Sequence, residues 1–225
     1  MIVAHQAELD YQDGDRIVRA VHDLSLIIDP GEFIGILGPS GSGKSSLLYL
    51  LSGLKIATSG QISFKGADYS KMGDSERSFL RRARFGFVFQ QPYLLGYLNV
   101  LENVLAPAMD AKRSRTKAME LLIDLGLGDK AHRFPAALSG GERQRACIAR
   151  ALINDPAVIF ADEPTASLDR ENGMHVVELL NAHRGEGAVV LVTHDPQTLE
   201  YANRVYTLQD GSVLENGQAF DPKRP

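Results

Sequence analysis

The sequence predicts an α/β fold in which a buried strand runs into a glycine-rich phosphate-type loop and then into a helix. Three observations carry this. Glu32-Phe-Ile-Gly-Ile-Leu37 is an apolar, strand-sized run that leads directly into Gly38-Pro-Ser-Gly-Ser-Gly-Lys-Ser45. Leu47, Leu48, Leu50, Leu51 and Leu54 then recur at helical spacing. Apolar strands return after Pro156, at Val158–Ala161 and Val189–Val192, with a helix near Asn172–Arg184 between them.

The remaining elements follow in chain order. The first 30 residues alternate as β-structure does and break at Asp13-Gly14-Asp15, a turn signal. Gln61–Phe64 reads as a short strand, residues 74–84 as a helix, and Phe85–Gln90 as another strand. Arg81, Arg82 and Arg84 read as a solvated helix face, with contact to acidic lipid or a partner as the functional alternative. From Pro92 to Pro156 the pattern turns helical: Ala118, Leu121, Leu122 and Leu125 share one face, and Gly126 stands where a helix C-cap is expected. The α/β core is thus interrupted by a helical insertion. The expected organisation is one domain over 1–225, with a core of 1–91 and 157–225 and a helical subdomain of 92–156.

Bulk composition narrows the function. The chain has 225 residues, 44% hydrophobic and 23% charged, with a formal net charge of -4. A dedicated nucleic-acid binder is usually basic, so no nucleic-acid partner is expected. One cysteine, Cys147, rules out a disulfide within the chain and reads as a small packed side chain. No apolar run approaches the roughly 20 residues that span a bilayer. The N-terminus lacks the basic and apolar regions of a signal peptide. A soluble, cytoplasmic chain is therefore expected, with any membrane role supplied by another subunit. Histidines 5, 22, 132, 175 and 183 show no metal-ligand spacing.

Three segments carry chemistry. Gly38-x-x-x-x-Gly43-Lys44-Ser45 matches the Walker A pattern, including Pro39, Ser40, Gly41 and Ser42, with Ser46 following. Glycines let backbone N–H groups face phosphate oxygens, and the helix that follows presents its positive end to the same anion. Lys44 is a point charge for the β- and γ-phosphates, and Ser45 offers a hydroxyl to Mg²⁺. Chance accounts for such a match in roughly one chain in a hundred at average glycine usage. Second, Val158-Ile-Phe-Ala-Asp162-Glu163 is an apolar strand ending in two carboxylates, at the strand end where ligands sit in α/β sheets. Asp162 suits Mg²⁺ and Glu163 suits the polarisation of an attacking water. The plain reading is a strand ending in solvated acids. Third, Ser139-Gly140-Gly141-Glu142 is a capping box opening the helix R-Q-R-A-C-I-A-R-A-L. Two glycines in a first helical turn each cost up to about 1 kcal/mol, which suggests that an anion approaches here too.

Walker A, Leu138-Ser-Gly-Gly-Glu142 and the acidic strand, in this order and spacing, resemble the nucleotide-binding subunit of an ATP-binding-cassette (ABC) transporter over essentially the whole chain. The resemblance implies a P-loop NTPase (RecA-like) core with an N-terminal antiparallel β-subdomain and an inserted helical subdomain. It implies ATP and Mg²⁺ as ligands and ATP hydrolysis as the activity. It further implies head-to-tail pairing with a second copy, each ATP lying between one chain's Walker A and the other's Ser139–Glu142. Tyr11 stands at the adenine-stacking position and Asp169, ending Ala166-Ser-Leu-Asp169, in the loop that crosses to the partner. Gln90 stands where a glutamine reaches Mg²⁺ and the water, with the segment after it facing the membrane subunit. His194, in Val-Leu-Val-Thr-His194-Asp, stands near the γ-phosphate. Glu142 replaces the commoner glutamine.

Gln-Gln-Pro-Tyr-Leu-Leu-Gly-Tyr-Leu-Asn-Val after β-type Phe85–Gln90, together with the short length, is similar to the lipoprotein-release, macrolide-efflux and heterocyst-glycolipid-export branch. That implies integral membrane permease subunits, a periplasmic adaptor, and a peripheral position on the inner face of the cell membrane. A regulatory ATPase of a cell-division complex is the alternative. Soluble repair ATPases carry long coiled-coil insertions, and only about 90 residues separate Ser45 from Leu138 here.

Overall fold

The computed structural model describes residues 1–218, the last four as backbone only; residues 219–225, which end the expected core segment, lie outside the described residues. The chain divides into two compact units, residues 1–81 with 190–225 and residues 82–189.

In the first unit, β1 (Ile2–Asp13) and β2 (Arg16–Ile28) form an antiparallel hairpin across the expected Asp13-Gly14-Asp15 turn. β4 (Ser59–Phe64) pairs antiparallel with β1, and β5 (Ala67–Asp68) with β4. Ile2, Ala4, Ala7 and Leu9 are buried, as the alternation predicts up to the bulges that shift the register after Ala4. β3 (Phe33–Leu37) is buried along nearly its whole length and pairs in parallel with β9 (Arg204–Gln209), which pairs antiparallel with β10 (Ser212–Gln218). An apolar run buried on both faces is how a parallel strand reads in sequence. α1 (Lys44–Leu51) buries Leu47, Leu48, Leu50 and Leu51. Leu54, expected on the same helix, lies past its end and is 42% exposed, because the chain turns at Ser52–Gly53.

α2 (Asp74–Arg84) spans the residues predicted for it and buries none of them. Arg84 is exposed, but Arg81 and Arg82 are not simply part of a solvated face. Arg81 Nη1 donates to the carbonyl of Gly53, and Arg82 donates to the carbonyls of Pro107 and Ala108. These carbonyls end a helix or lie in a loop, so a long cation supplies donors that no ladder provides.

In the second unit, β6 (Phe85–Phe89) and β7 (Val158–Asp162) pair in parallel, and Phe85, Phe87 and Phe160 pack ring against ring. Helices α3 (Val100–Leu105), α4 (Arg115–Asp124), α5 (Gly140–Leu152) and α6 (Arg170–His183) complete it. α4 closes with Gly126 at φ 69° and the Leu127 N–H on the Leu122 carbonyl, the capping expected from the sequence. β8 (Ala188–Thr193) is buried throughout and contains the boundary between the units. No described helix is long and apolar enough to cross a membrane.

The loop after β6 is held from within. Asn103, fully buried on α3, accepts from the Leu95 N–H and donates to the carbonyls of Leu95, Leu98 and Asn99. Replacing Asn103 with Ala removes the acceptor of a part-buried N–H and leaves three carbonyls short of this donor. The expected loss is about 2–3 kcal/mol, read as a lower urea midpoint at unchanged slope.

Candidate functional site: phosphate loop, acidic strand end and signature helix

In the first unit, Gly38 follows β3 and the loop turns through Pro39, Ser40 and Gly41, with Pro39, Ser40 and Gly41 exposed. Gly41 and Gly43 take φ of 82° and 97°. A methyl at Gly43 would lie 2.3 Å from the Ala20 carbonyl oxygen, so both the left-handed backbone and the close approach of β2 require glycine there. α1 starts at Lys44 with Gly43 as its N-cap and no side-chain cap. A helix that opens on a glycine N-cap directly after a glycine-rich loop is the local design of an anion site. Lys44 is 7% exposed, and its ammonium donates to the carbonyls of Gly38 (2.8 Å) and Pro39 (2.9 Å). Ser45 stands one position along α1. The Ser46 hydroxyl donates to Tyr11 Oη at 3.4 Å, and Lys55 Nζ lies 5.5 Å from the centre of the Tyr11 ring. Tyr11 thus sits beside the phosphate loop, half-buried, on β1.

His194 follows β8 and is exposed, on a loop pinned at both sides. Thr193 Oγ1 accepts from the Asp195 N–H and from the Thr198 hydroxyl, which also donates to the Asp195 carbonyl. These two buried threonines were not singled out in the sequence: Thr193 ends an apolar strand, Thr198 lies in the turn after it, and neither gives a periodic signal.

In the second unit, the register Phe89↔Asp162 places Gln90 and Glu163 just beyond the ends of neighbouring strands. Glu163 has φ 48°, uncommon for a non-glycine residue, and its carbonyl accepts from Ala166 N–H at 3.2 Å. Strain at such a position persists only where the surroundings hold it, and Pro164, buried, follows immediately. The Ser167 hydroxyl donates to the Gln90 carbonyl at 3.3 Å.

The capping box at the start of α5 is formed as the sequence predicts. Glu142 N–H donates to Ser139 Oγ (3.3 Å) and Ser139 N–H donates to Glu142 Oε2 (2.8 Å). Lys130 donates to the other oxygen, Oε1. That hydrogen bond, followed by the one from the Ser139 backbone, pulls the Glu142 carboxyl down to about 2. Asp169 caps α6 with its side chain alone, and the Asn172 N–H, then the Asn172 side chain, hold its carboxyl below the usual carboxylate range. The two capped helix starts are neighbours. A methyl at Gly141 would stand 3.1 Å from Asn172 Oδ1, and one at Gly140 3.7 Å from a Leu168 methyl. Gly141 is what lets the head of α6 approach, whereas a methyl at Gly140 would make only ordinary contact.

Three donors on α5 reach the segment that leaves β6. Gln144, fully buried, donates to the Phe89 carbonyl at 2.9 Å. The Cys147 thiol donates to Pro92 at 2.7 Å, and burial raises its pKa to about 11, so it is a packed donor and not a nucleophile. Arg150 donates to Pro92 and Tyr93. Gln144 and Arg150 were missed at the sequence level; both stood inside the helical pattern, where a polar residue reads as surface.

A buried strand, a glycine-rich loop and a helix on an α/β frame are the arrangement of a P-loop nucleotide hydrolase. The family model described as "ABC transporter" matches residues 21–166. The uncharacterized ABC transporter ATP-binding protein MJ1508 of Methanocaldococcus jannaschii is 42% identical over 96% of this chain and 98% of its own length. The macrolide export ATP-binding/permease protein MacB of Psychrobacter arcticus is 40% identical over 96% of this chain. The chain spans 33% of that protein's length. Among solved structures, the dimeric post-hydrolysis state of the ATP-binding cassette MJ0796 bound to ADP and Pi has a TM-score of 0.88 at 37% identity, over 97% of this chain and 98% of that one. The chain belongs to the ABC transporter family and is one of its ATP-hydrolysing cassettes.

The strain at Glu163 is testable by comparing Glu163→Gly with Glu163→Ala, which lose the same side-chain interactions. The glycine variant is expected to be the more stable by about 1 kcal/mol, seen as a higher melting temperature. Equal stabilities would show that the backbone at 163 is relaxed.

Proposed function

We propose that this chain binds Mg²⁺–ATP, pairs head to tail with a second copy, and uses the closure and release of that pair to drive separate membrane permease subunits in export or mechanotransmission. The observation that carries this reading is the start of α5. It is a helix N-terminus with its cap complete and two bare glycines in its first turn, beside the capped start of α6. A capped N-terminus with bare backbone suits a phosphate offered from outside the chain. The dimeric state of the MJ0796 cassette supports pairing, and the name of the MacB relatives supports export.

The residues then take these roles. Gly38–Ser46 wrap the phosphates, with Lys44 moving from its loop carbonyls to the β- and γ-oxygens. Tyr11 stacks on the base. Ser45, Asp162 and Gln90 would hold Mg²⁺, which would supply charge neutralisation to the phosphates. Glu163 accepts a proton from the attacking water, and His194 steadies the γ-phosphate. Ser139, Gly140, Gly141 and Glu142, with Asp169, close over the ATP of the second copy. Catalysis comes mainly from positioning and charge stabilisation.

The segment after Gln90 is the face we assign to the permease. Tyr93 and Tyr97 are 67% and 76% exposed, on backbone held by Asn103, Cys147 and Arg150. Rigid backbone presenting exposed aromatic rings is suited to docking. Through that partner the chain is held at the inner face of the cell membrane. The helical segment 92–156 serves as the subdomain that carries the signature.

Two substitutions test the reading. Lys44→Ala should abolish ATP binding by calorimetry, and retained tight binding would contradict the phosphate-loop assignment. Glu163→Gln should still bind ATP, fall in turnover by at least about a hundredfold, and elute as a dimer with Mg²⁺–ATP. A variant that stays monomeric while turning over normally removes Glu163 from the chemistry.

A further inference from the structure

Glu142 places a full negative charge one turn inside the helix end that, on the reading above, meets a partner's triphosphate. A carboxylate there serves the cap, since Oε2 accepts from the Ser139 N–H. It also opposes an incoming polyanion. Its second oxygen is taken by Lys130, with both side chains largely withdrawn from solvent, at 23% and 17% exposure. Among the described residues neither nearby arginine bonds to Glu142: Arg143 donates to the Leu138 carbonyl and Arg145 Nε to that of Leu125, with Arg145 Nη1 3.7 Å from where a Gly141 methyl would stand.

Lys130 is not on a loose loop. Its N–H donates to the Leu127 carbonyl, and its own carbonyl accepts from the Arg133 N–H. The carbonyls of Ala131 and Arg133 in turn accept from the Leu101 and Val100 N–H groups that open α3. The ammonium is therefore delivered from backbone that is fixed against the helix following the proposed permease-facing segment.

We infer that Lys130 is a positioning residue of the signature site: it neutralises Glu142 and locks its carboxylate into the cap of Ser139, so that the start of α5 meets a partner copy's triphosphate without net negative charge. This rests on the head-to-tail reading. A lysine lost from this pair leaves the Glu142 charge uncompensated, and the repulsion falls on dimer closure more than on the fold. The low carboxyl pKa agrees, since Glu142 stays ionised across the physiological range.

The experiment uses the full chain carrying Glu163→Gln and measures ATP-driven dimerisation by sedimentation velocity with Mg²⁺–ATP. Adding Lys130→Met should weaken dimerisation on the order of tenfold, the size of one screened unit charge near another. Higher salt should narrow that gap. Lys130→Arg should keep dimerisation, and Lys130→Met with Glu142→Gln should restore it, because the neutral amide can still accept from Ser139 and needs no cation. Undiminished dimerisation in Lys130→Met overturns the inference. So does a loss that Glu142→Gln does not restore, which would mark Lys130 as merely structural. If Glu163→Gln alone fails to dimerise, the head-to-tail reading fails first and takes this inference with it.

Discussion

The arrangement of the second unit depends on one constraint: the backbone from Phe89 to Tyr93 leaves its strand and needs hydrogen-bond donors from elsewhere. α5 supplies them from one stripe. Gln144, Cys147 and Arg150, three residues apart, reach the carbonyls of Phe89, Pro92 and Tyr93. Such spacing lays the three side chains along one side of the helix. The bonds to Phe89 and Pro92 are part-buried, so this seam ties α5 to the segment that leaves β6. The Ser139–Glu142 cap then fixes where α5 begins. The segment after Gln90 and the signature are thereby two ends of one rigid connection.

The same economy explains the polar residues that sit where apolar ones would pack better. Asn103 holds the loop that Arg150 and Cys147 approach from the other side. Lys130 and Glu142 join the start of α5 to the segment that braces α3. Glu163, at the acidic strand end where the backbone turns out of the sheet, shares its left-handed conformation with Tyr93 and Asp155 in this unit. The segment after Gln90 is thus joined to the signature helix by side-chain hydrogen bonds.

What could be read from the sequence was local. The phosphate loop, its strand and its helix are contiguous, and each residue's role follows from its neighbours. The capping box at Ser139 and the C-cap at Gly126 are also short-range and formed as expected. The hairpin of β9 and β10 went unread, although Asp210-Gly211, both at positive φ, is a turn signal. Arg82, Asn103, Lys130, Gln144 and Arg150 could not be assigned, because their partners are carbonyls or carboxylates up to 58 residues away and nothing periodic marks them. Leu54 fits the helical spacing and still falls outside α1, since the turn at Gly53 overrides the pattern.

The central claim is that each phosphate loop is half of a site, completed by Ser139–Glu142 of another copy. Mixing two inactive chains tests it most directly. A Lys44→Ala chain keeps its signature but cannot hold ATP; a Ser139→Arg chain holds ATP but offers a blocked signature. The mixture should form ATP-dependent heterodimers with one intact composite site and recover hydrolysis that neither chain shows alone. A mixture as inactive and monomeric as its components, or a Ser139→Arg chain that hydrolyses ATP normally by itself, would contradict it.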